Sequence, residues 1–184
     1  EFIDASLEDL AEEYPEFHYF PSTMSDFKAH GDELACPKII IDLIEEKKKE
    51  VFGCVINTDK FSSCTGKTTC GKHWTAVFID TRKPNDTDYT VEFFDPTGDR
   101  PNKLIMKWQE DMKEALENYR QAKGHTGGVQ TVVSTVDHQK ENNECGVYSI
   151  YFVRARVEGI GFNRFNANKI SDEAMISFRR YLFS

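Results

Sequence analysis

The chain has 184 residues, 31 acidic and 23 basic side chains, a formal net charge of −8 and 39% hydrophobic residues. This length fits one domain with a single core, and the acidic balance argues against nucleic acid as the main partner, because nucleic-acid-binding domains usually carry a basic stripe. No apolar run approaches the ~18 residues of a membrane helix, so no membrane association is predicted. We expect a monomer.

The cysteine count and the N-terminus bear on the compartment. Five cysteines, an odd number in a chain of this length, argue against a secreted disulfide framework and favour an intracellular, reducing compartment. The N-terminus is acidic and lacks the basic segment and apolar stretch of a secretory signal. Because the chain opens with Glu1-Phe2 and no Met, it fits an excised fragment or a cloning remnant.

The predicted elements describe an α+β chain with a mostly antiparallel central sheet flanked by helices. Residues 1–35 are predicted as an acidic, aromatic-rich N-terminal extension, and residues 36–184 as one domain. Apolar spacing and turn residues first predict three helices, at Ile3–Glu13, Ser25–Leu34 and Pro37–Lys49. Runs of β-branched and aromatic residues then predict a strand at Val51–Asn57, a loop at Thr58–Lys72 and a hairpin of strands His73–Asp80 and Tyr89–Phe94. The last part of the chain is predicted as a helix at Pro101–Lys123, a strand at Val129–Val136, and helices at Cys145–Glu158 and Ser171–Phe183, the last capped by Ser171.

Cys145 is the candidate nucleophile. It opens an apolar helix after the turn-prone Asn142-Asn143-Glu144, where unpaired backbone N–H groups favour a thiolate. Gly146 leaves room for another backbone to pass close to the sulfur. On position alone, a buried structural cysteine is an equally good interpretation.

His73 is the candidate base, because it begins a strong strand at the mouth of a loop and can be both fixed and accessible. His138 competes by its closeness to Cys145 in sequence, but the predicted loop between strand and helix holds it less firmly. A carboxylate must orient the imidazole, and Asp95 ends the strand that pairs with the His73 strand. Glu92, in the middle of that strand, is the fallback.

An acyl-transfer site also needs donors aimed at the developing oxyanion. Gln139 lies six residues before Cys145 across a polar loop, so its side-chain amide could act together with the Cys145 backbone N–H. A solvated surface glutamine is the default interpretation of any single Gln.

Together these residues resemble the pattern of the adenain and ubiquitin-like-protein protease clan, which includes the adenovirus maturation protease and the SUMO-deconjugating proteases. The likeness covers about residues 50–155, and the segment Phe52–Asp59 with the Gly-Lys-His-Trp after it is most similar to proteases of large DNA viruses. The shared string is His73-Trp74, then Phe94-Asp95-Pro96-Thr97-Gly98, then Gln139 six residues before Cys145-Gly146.

The resemblance implies a papain-like cysteine protease core in which His73, Asp95, Gln139 and Cys145 are catalytic. It implies that Trp74 is a wall of a narrow channel that passes Gly146, and that cleavage follows a Gly-Gly-type sequence. The substrate is then ubiquitin, a ubiquitin-like protein or a viral polyprotein, in the host cytoplasm or the virion if the protein is viral. No cofactor is expected.

Three alternatives stay open on the sequence. Acetyltransferases share this catalytic pattern but would need a basic pocket for the phosphates of CoA, which the acidic balance disfavours. A non-catalytic binder of a ubiquitin-like protein would have signalled itself by losing Cys, His or Gln. A zinc site at Cys64, Cys70 and His73 is disfavoured, because the spacing is irregular and the metal would consume the proposed base.

Overall fold

A six-stranded sheet lies between two groups of helices in the computed structural model, which describes residues 2–64, 73–139 and 144–182. The strands are β1 (Phe17–Tyr19), β2 (Thr23–Met24), β3 (Val51–Asn57), β4 (Trp74–Asp80), β5 (Tyr89–Phe94) and β6 (Val129–Val133). The helices are α1 (Phe2–Glu13), α2 (Pro37–Lys47), α3 (Phe61–Cys64), α4 (Lys103–Ala122), α5 (Cys145–Val157), α6 (Phe162–Ala167) and α7 (Asp172–Leu182).

The sheet has an antiparallel centre and parallel edges. Strands β3, β4 and β5 pair antiparallel, as the predicted hairpin requires, and the mostly antiparallel sheet of the prediction is confirmed. β1 and β2 join β3 in parallel, and β6 joins β5 in parallel. The parallel pairing of β6 follows from its connection, because α4 carries the chain back across the sheet before β6 begins.

Alternate residues of the central strands feed two separate cores, one on each face of the sheet. On one face, Val55, Phe78 and Phe94 pack against α1 and α5. On the other face, their neighbours along the strands pack against α2 and α4, around Trp108. The first residues of the chain belong to the former core, since Leu7, Leu10 and Phe17 are buried there.

Several predicted boundaries differ from the structure. Residues 25–34 form two 3-10 turns, Phe27–His30 and Glu33–Ala35, because Gly31 takes a left-handed conformation at φ 73° between them. α4 begins at Lys103 because the Asn102 side chain accepts a hydrogen bond from Ile105 N, which leaves Pro101 ahead of the helix.

The C-terminal helix was predicted with its cap. Ser171 Oγ accepts a hydrogen bond from Ala174 N at 3.2 Å, so Ser171 is the N-cap of α7. The predicted last residue of the helix, Phe183, lies outside the described residues. Among the described residues, no helix is both long and apolar enough to cross a membrane.

Candidate active site

Cys145 is the first residue of α5 and is 5% exposed. The first backbone N–H groups of a helix have no partner within the helix, and the helix dipole places positive potential there. A further donor comes from the sheet, where the Trp74 N–H points at Cys145 Sγ with an N–S distance of 3.3 Å. Both features place partial positive charge beside the sulfur.

His73 stands immediately before β4 and joins the sulfur to a carboxylate. Its Nε2 lies 2.9 Å from Asp95 Oδ1, and the ring also hydrogen-bonds the Cys145 side chain. The hydrogen bond to Asp95, followed by that to Cys145, raises the pKa of His73 to about 10 against the opposing effect of burial. The side chain is 29% exposed, so the ring is fixed on one side and accessible on the other.

Asp95 follows the last residue of β5, and its side chain is 4% exposed. Because β4 and β5 run antiparallel, the start of one strand and the end of the other lie at the same edge of the sheet. The carboxylate is fixed by its own turn, since Thr97 N and Thr97 Oγ1 donate to Asp95 Oδ1 at 2.9 and 2.7 Å. An aspartate that binds the backbone N–H two residues ahead is a common turn device.

Gln139 is hydrogen-bonded to the same turn. Its backbone N–H donates to the Pro96 carbonyl oxygen at 2.9 Å, and the residue is 5% exposed. Pro96 directly follows Asp95 in the chain. Asp95 contacts His73, and His73 contacts Cys145. The four predicted catalytic residues are therefore linked through a short series of contacts.

Trp74 and Gly146, the predicted channel residues, face each other beside the sulfur. A Cβ atom on Gly146 would lie 3.6 Å from Trp74 Cδ1 and 3.9 Å from Ile3 Cδ1. The space in front of Gly146 is thus bounded by an indole and by an isoleucine of α1, an element to which the sequence analysis assigned no role.

The alternative base and acid, His138 and Glu92, bind other residues. His138 is buried, its Nε2 lies 3.1 Å from Asn166 Oδ1, and burial lowers its pKa. Glu92 is fully buried and binds Arg156 through both carboxylate oxygens, at 2.8 and 2.7 Å. The fallback acid therefore neutralises an arginine and does not contact His73.

The zinc alternative involves residues that the structure describes only in part. Cys64 is disulfide-bonded there, and Cys70 lies outside the described residues, as do Asn142 and Asn143 of the predicted turn. Residues 2–64, 73–139 and 144–182 contain no group of three or more His, Cys, Asp or Glu side chains arranged to hold a metal ion.

Comparison of the sequence with known protein families indicates which type of enzyme has this arrangement of residues. Residues 47–184 match the family described as the Ulp1 protease family, C-terminal catalytic domain. The chain belongs to this family. It therefore carries a cysteine-type peptidase domain, as the resemblance in the sequence implied.

Individual relatives of this Ulp1-family domain agree. The SUMO-1 cysteine protease of African swine fever virus is 32% identical over 196 residues, which cover 98% of this chain and 65% of the relative. The crystal structure of the protease of that virus superposes with a TM-score of 0.82 at 27% identity, over 100% of this chain and 66% of the other. The C-terminal Ulp1 protease domain in complex with Smt3, the yeast ortholog of SUMO, shares the fold with a TM-score of 0.61 at 15% identity, over 98% of this chain and 72% of the other. The chain thus spans about two thirds of the length of its viral relatives.

Sequence reasoning missed one buried residue of this Ulp1-family site. The Ser149 hydroxyl lies 2.8 Å from the Cys145 carbonyl oxygen and 3.2 Å from the Trp74 carbonyl oxygen, so it can donate to either. It joins the first turn of α5 to the start of β4, the two elements that carry the sulfur and the imidazole. Its position four residues after Cys145 was the only sequence signal, and that spacing is common to every helix.

Proposed function

We propose that this domain is a cysteine protease that cleaves peptide or isopeptide bonds after Gly-Gly-type sequences. Cys145 is the nucleophile, His73 the acid–base group, Asp95 its orienting acid and Gln139 an oxyanion donor. The observation that carries the proposal is the imidazole of His73, bound at once to the Asp95 carboxylate and to the side chain of a cysteine that opens a helix.

The roles follow from the direction of the His73 pKa. An imidazole with a pKa near 10 holds its proton at neutral pH and stabilises a thiolate beside it as an ion pair. The thiolate attacks the carbonyl carbon of the glycine that precedes the cleaved bond. The negative charge that develops on the carbonyl oxygen is stabilised by Gln139 and the Cys145 N–H. His73 then protonates the leaving amine, and water hydrolyses the thioester with His73 as base.

The narrow space near Gly146 supports the Gly-Gly preference. Trp74 and Ile3 bound this space so closely that a Cβ atom on Gly146 would already be in van der Waals contact with both. A substrate backbone that approaches the sulfur beside Trp74 therefore has little room for side chains near the cleaved bond. Glycine is the residue that lets a backbone approach so closely. A viral relative is a SUMO-1 cysteine protease, which supports a ubiquitin-like protein as the substrate of this domain.

Membership of a protease family favours peptide cleavage over the acetyltransferase and the non-catalytic binder. The shared substrate chemistry is a Gly-Gly sequence with an extended backbone, from ubiquitin, a ubiquitin-like protein or a viral polyprotein. We further propose that the domain acts as a monomer, in the host cytoplasm or the virion as its viral relative suggests.

The test uses C-terminal propargyl probes of ubiquitin and SUMO beside peptides that contain Gly-Gly-x. We expect a covalent adduct on Cys145 with at least one protein probe, or cleavage of the peptides, and neither with Cys145→Ala. Adducts with a protein probe would identify a deconjugating enzyme, and cleavage of the peptides alone would identify a polyprotein-processing enzyme. Undiminished turnover by Cys145→Ala would refute the proposal.

A further inference from the structure

One short turn contacts two parts of the proposed site. Residues 95–98 connect the end of β5 to the approach to α4. The first residue, Asp95, binds His73, and the carbonyl oxygen of the second, Pro96, accepts hydrogen bonds from both His138 N at 2.8 Å and Gln139 N at 2.9 Å. The turn therefore holds the orienting acid with a side chain and the backbone of the oxyanion donor with a carbonyl group.

Gly98 closes this turn in a conformation that few other residues adopt. Its φ is 78°, in the left-handed region, and its N–H donates to the Asp95 carbonyl oxygen at 2.9 Å. A Cβ atom at Gly98 would lie 2.9 Å from Asp137 N and 3.0 Å from both Thr135 O and the Val136 carbonyl carbon. All three are backbone atoms, which cannot rotate away as the end of a side chain can.

The segment that Gly98 contacts leads directly to Gln139 and is held from its other side as well. Residues 135–139 lie beyond the end of β6 and carry Gln139 at their end. Tyr148 Oη donates to the His138 carbonyl oxygen at 3.3 Å, and the His138 ring contacts Asn166 at 3.1 Å. A side chain at position 98 would push a segment that α5 and α6 prevent from retreating, so the strain falls on the backbone before Gln139.

We propose that Gly98 is a positioning residue for Gln139: the missing side chain lets residues 135–137 pack against the turn and thereby sets the oxyanion donor. This inference rests on the proposed function, in which Gln139 acts on the oxyanion. It separates two effects of the turn, because the nearest atoms to a Cβ at Gly98 belong to residues 135–137 and not to His73, Asp95 or Cys145.

The test compares Gly98→Ala with Gly124→Ala in the whole chain. Gly124 also has a left-handed φ, 77°, but a Cβ atom there has nothing within 4 Å, so it reproduces the backbone strain without the collision. We expect kcat on a Gly-Gly substrate to fall about 10- to 100-fold in Gly98→Ala, with KM little changed. This loss is smaller than the ~100- to 1000-fold loss that follows complete removal of an oxyanion donor, because Gln139 is displaced and not removed. Gly124→Ala should keep the activity of the parent.

A second readout separates positioning from general damage. Iodoacetamide alkylates the thiolate without forming an oxyanion, so the rate of alkylation of Cys145 in Gly98→Ala should stay within about threefold of the parent. In the double variant with Gln139→Ala, kcat should be no lower than in Gln139→Ala alone, because both changes remove the same interaction. If Gly98→Ala folds poorly, Gly98→Asn with Gly124→Asn gives the same test, since Asn tolerates the left-handed region better.

The outcomes are distinct for the two proposals. Equal activity of Gly98→Ala and Gly124→Ala, a parallel loss of alkylation and turnover, or additive losses with Gln139→Ala would overturn the positioning role while leaving the protease proposal intact. An active Cys145→Ala would instead refute the protease proposal, whatever Gly98→Ala does.

Discussion

The two ends of strands β4 and β5 both carry buried or half-buried charged groups, but they use them differently. At one end lie His73 and Asp95 with Cys145. Toward the other end Arg156 from α5 enters the sheet, and its three nitrogens donate to Glu92 in the middle of β5, to Asp80 at the end of β4 and to the Ile160 carbonyl oxygen, at 2.7–3.0 Å. This second group is called the arginine cluster below.

The charged groups of the arginine cluster are paired with one another and with further hydrogen-bond partners. Arg82 adds bonds to Asp80 and to the carbonyl oxygens of Arg156 and Val157, and Thr90 Oγ1 donates to Glu92 at 2.6 Å. Although burial by itself would raise the pKa of Asp80, the hydrogen bonds and charges of Arg82 and Arg156 hold that pKa below its ordinary value.

The end that carries the proposed catalytic residues keeps the imidazole of His73 partly exposed and places a sulfur on a helix terminus. Burial with complete pairing makes a charge group structural, whereas partial exposure with a neighbouring nucleophile makes it reactive. Substitutions at the two ends should therefore have different effects. Those near Cys145 should lower activity, and those in the arginine cluster should lower stability.

The largest expected effect is on activity. Cys145→Ala should lower kcat/KM by at least about 10⁴-fold, because removal of a nucleophile leaves only binding and oxyanion stabilisation. The thermal midpoint should stay within a few degrees, measured by circular dichroism. Cys36→Ser, which changes a half-buried thiol outside the site, is the matched control and should keep full activity.

The next effect is on stability. Arg156→Ala should lower the free energy of unfolding by about 3–5 kcal/mol, because it leaves Glu92 and Asp80 buried without their cation. Arg154→Ala changes an arginine of the same helix whose partner Glu158 is partly exposed, so its loss should be below about 1 kcal/mol. Denaturant titration measures both, and similar losses in the two variants would contradict the assigned difference between the two ends.

Asp95→Asn should reduce kcat/KM by about 100-fold, within the range for loss of effective acid–base catalysis. It should also change the pH profile. Asp95 is the largest cause of the raised His73 pKa, so the alkaline limb of kcat/KM should move from near pH 10 toward the ordinary 6.5. An alkaline limb that stays in place would show that Asp95 does not set the protonation of His73.

The same shift has a stability consequence of defined sign. A pKa raised on folding contributes stability below pH 6.5, and this contribution is lost as the pH rises through about 10. The stability difference between the parent and Asp95→Asn should therefore shrink at high pH, which denaturant titrations at several pH values can measure.

The smallest effect concerns Ser149. Ser149→Ala should cost about 0.5–1.5 kcal/mol of stability, the usual net value of one hydrogen bond, and reduce activity by about tenfold or less, because α5 loses its tie to Trp74. Ser177→Ala removes a hydroxyl with the same bond to the carbonyl four residues before, but on the exposed α7, and should change neither quantity. Equal effects of the two variants would remove Ser149 from the site.

Local patterns predicted much of the fold and the candidates for the site. The strands Val51–Asn57 and Tyr89–Phe94 and the helix that begins at Cys145 were predicted at their observed starts, because apolar periodicity and turn residues act over a few residues. The short strands β1 and β2 were missed, since each exists only as a partner of β3. The helix predicted over residues 25–34 was wrong, because Gly31 interrupts it.

The amino-acid sequence alone identified the candidates for the catalytic site: a cysteine at a helix start, a histidine at a strand start and a carboxylate in an Asp-Pro-Thr-Gly turn. The folded chain brings Asp95 to His73, pairs Glu92 with Arg156 and pairs His138 with Asn166. The register of β4 against β5 places Glu92 beside Phe78, on the face that Arg156 enters from a helix 64 residues away. Asp95 lies just beyond the last strand residue, within reach of His73. That choice depends on which cation reaches which carboxylate, and contacts between distant segments form only when the chain is folded.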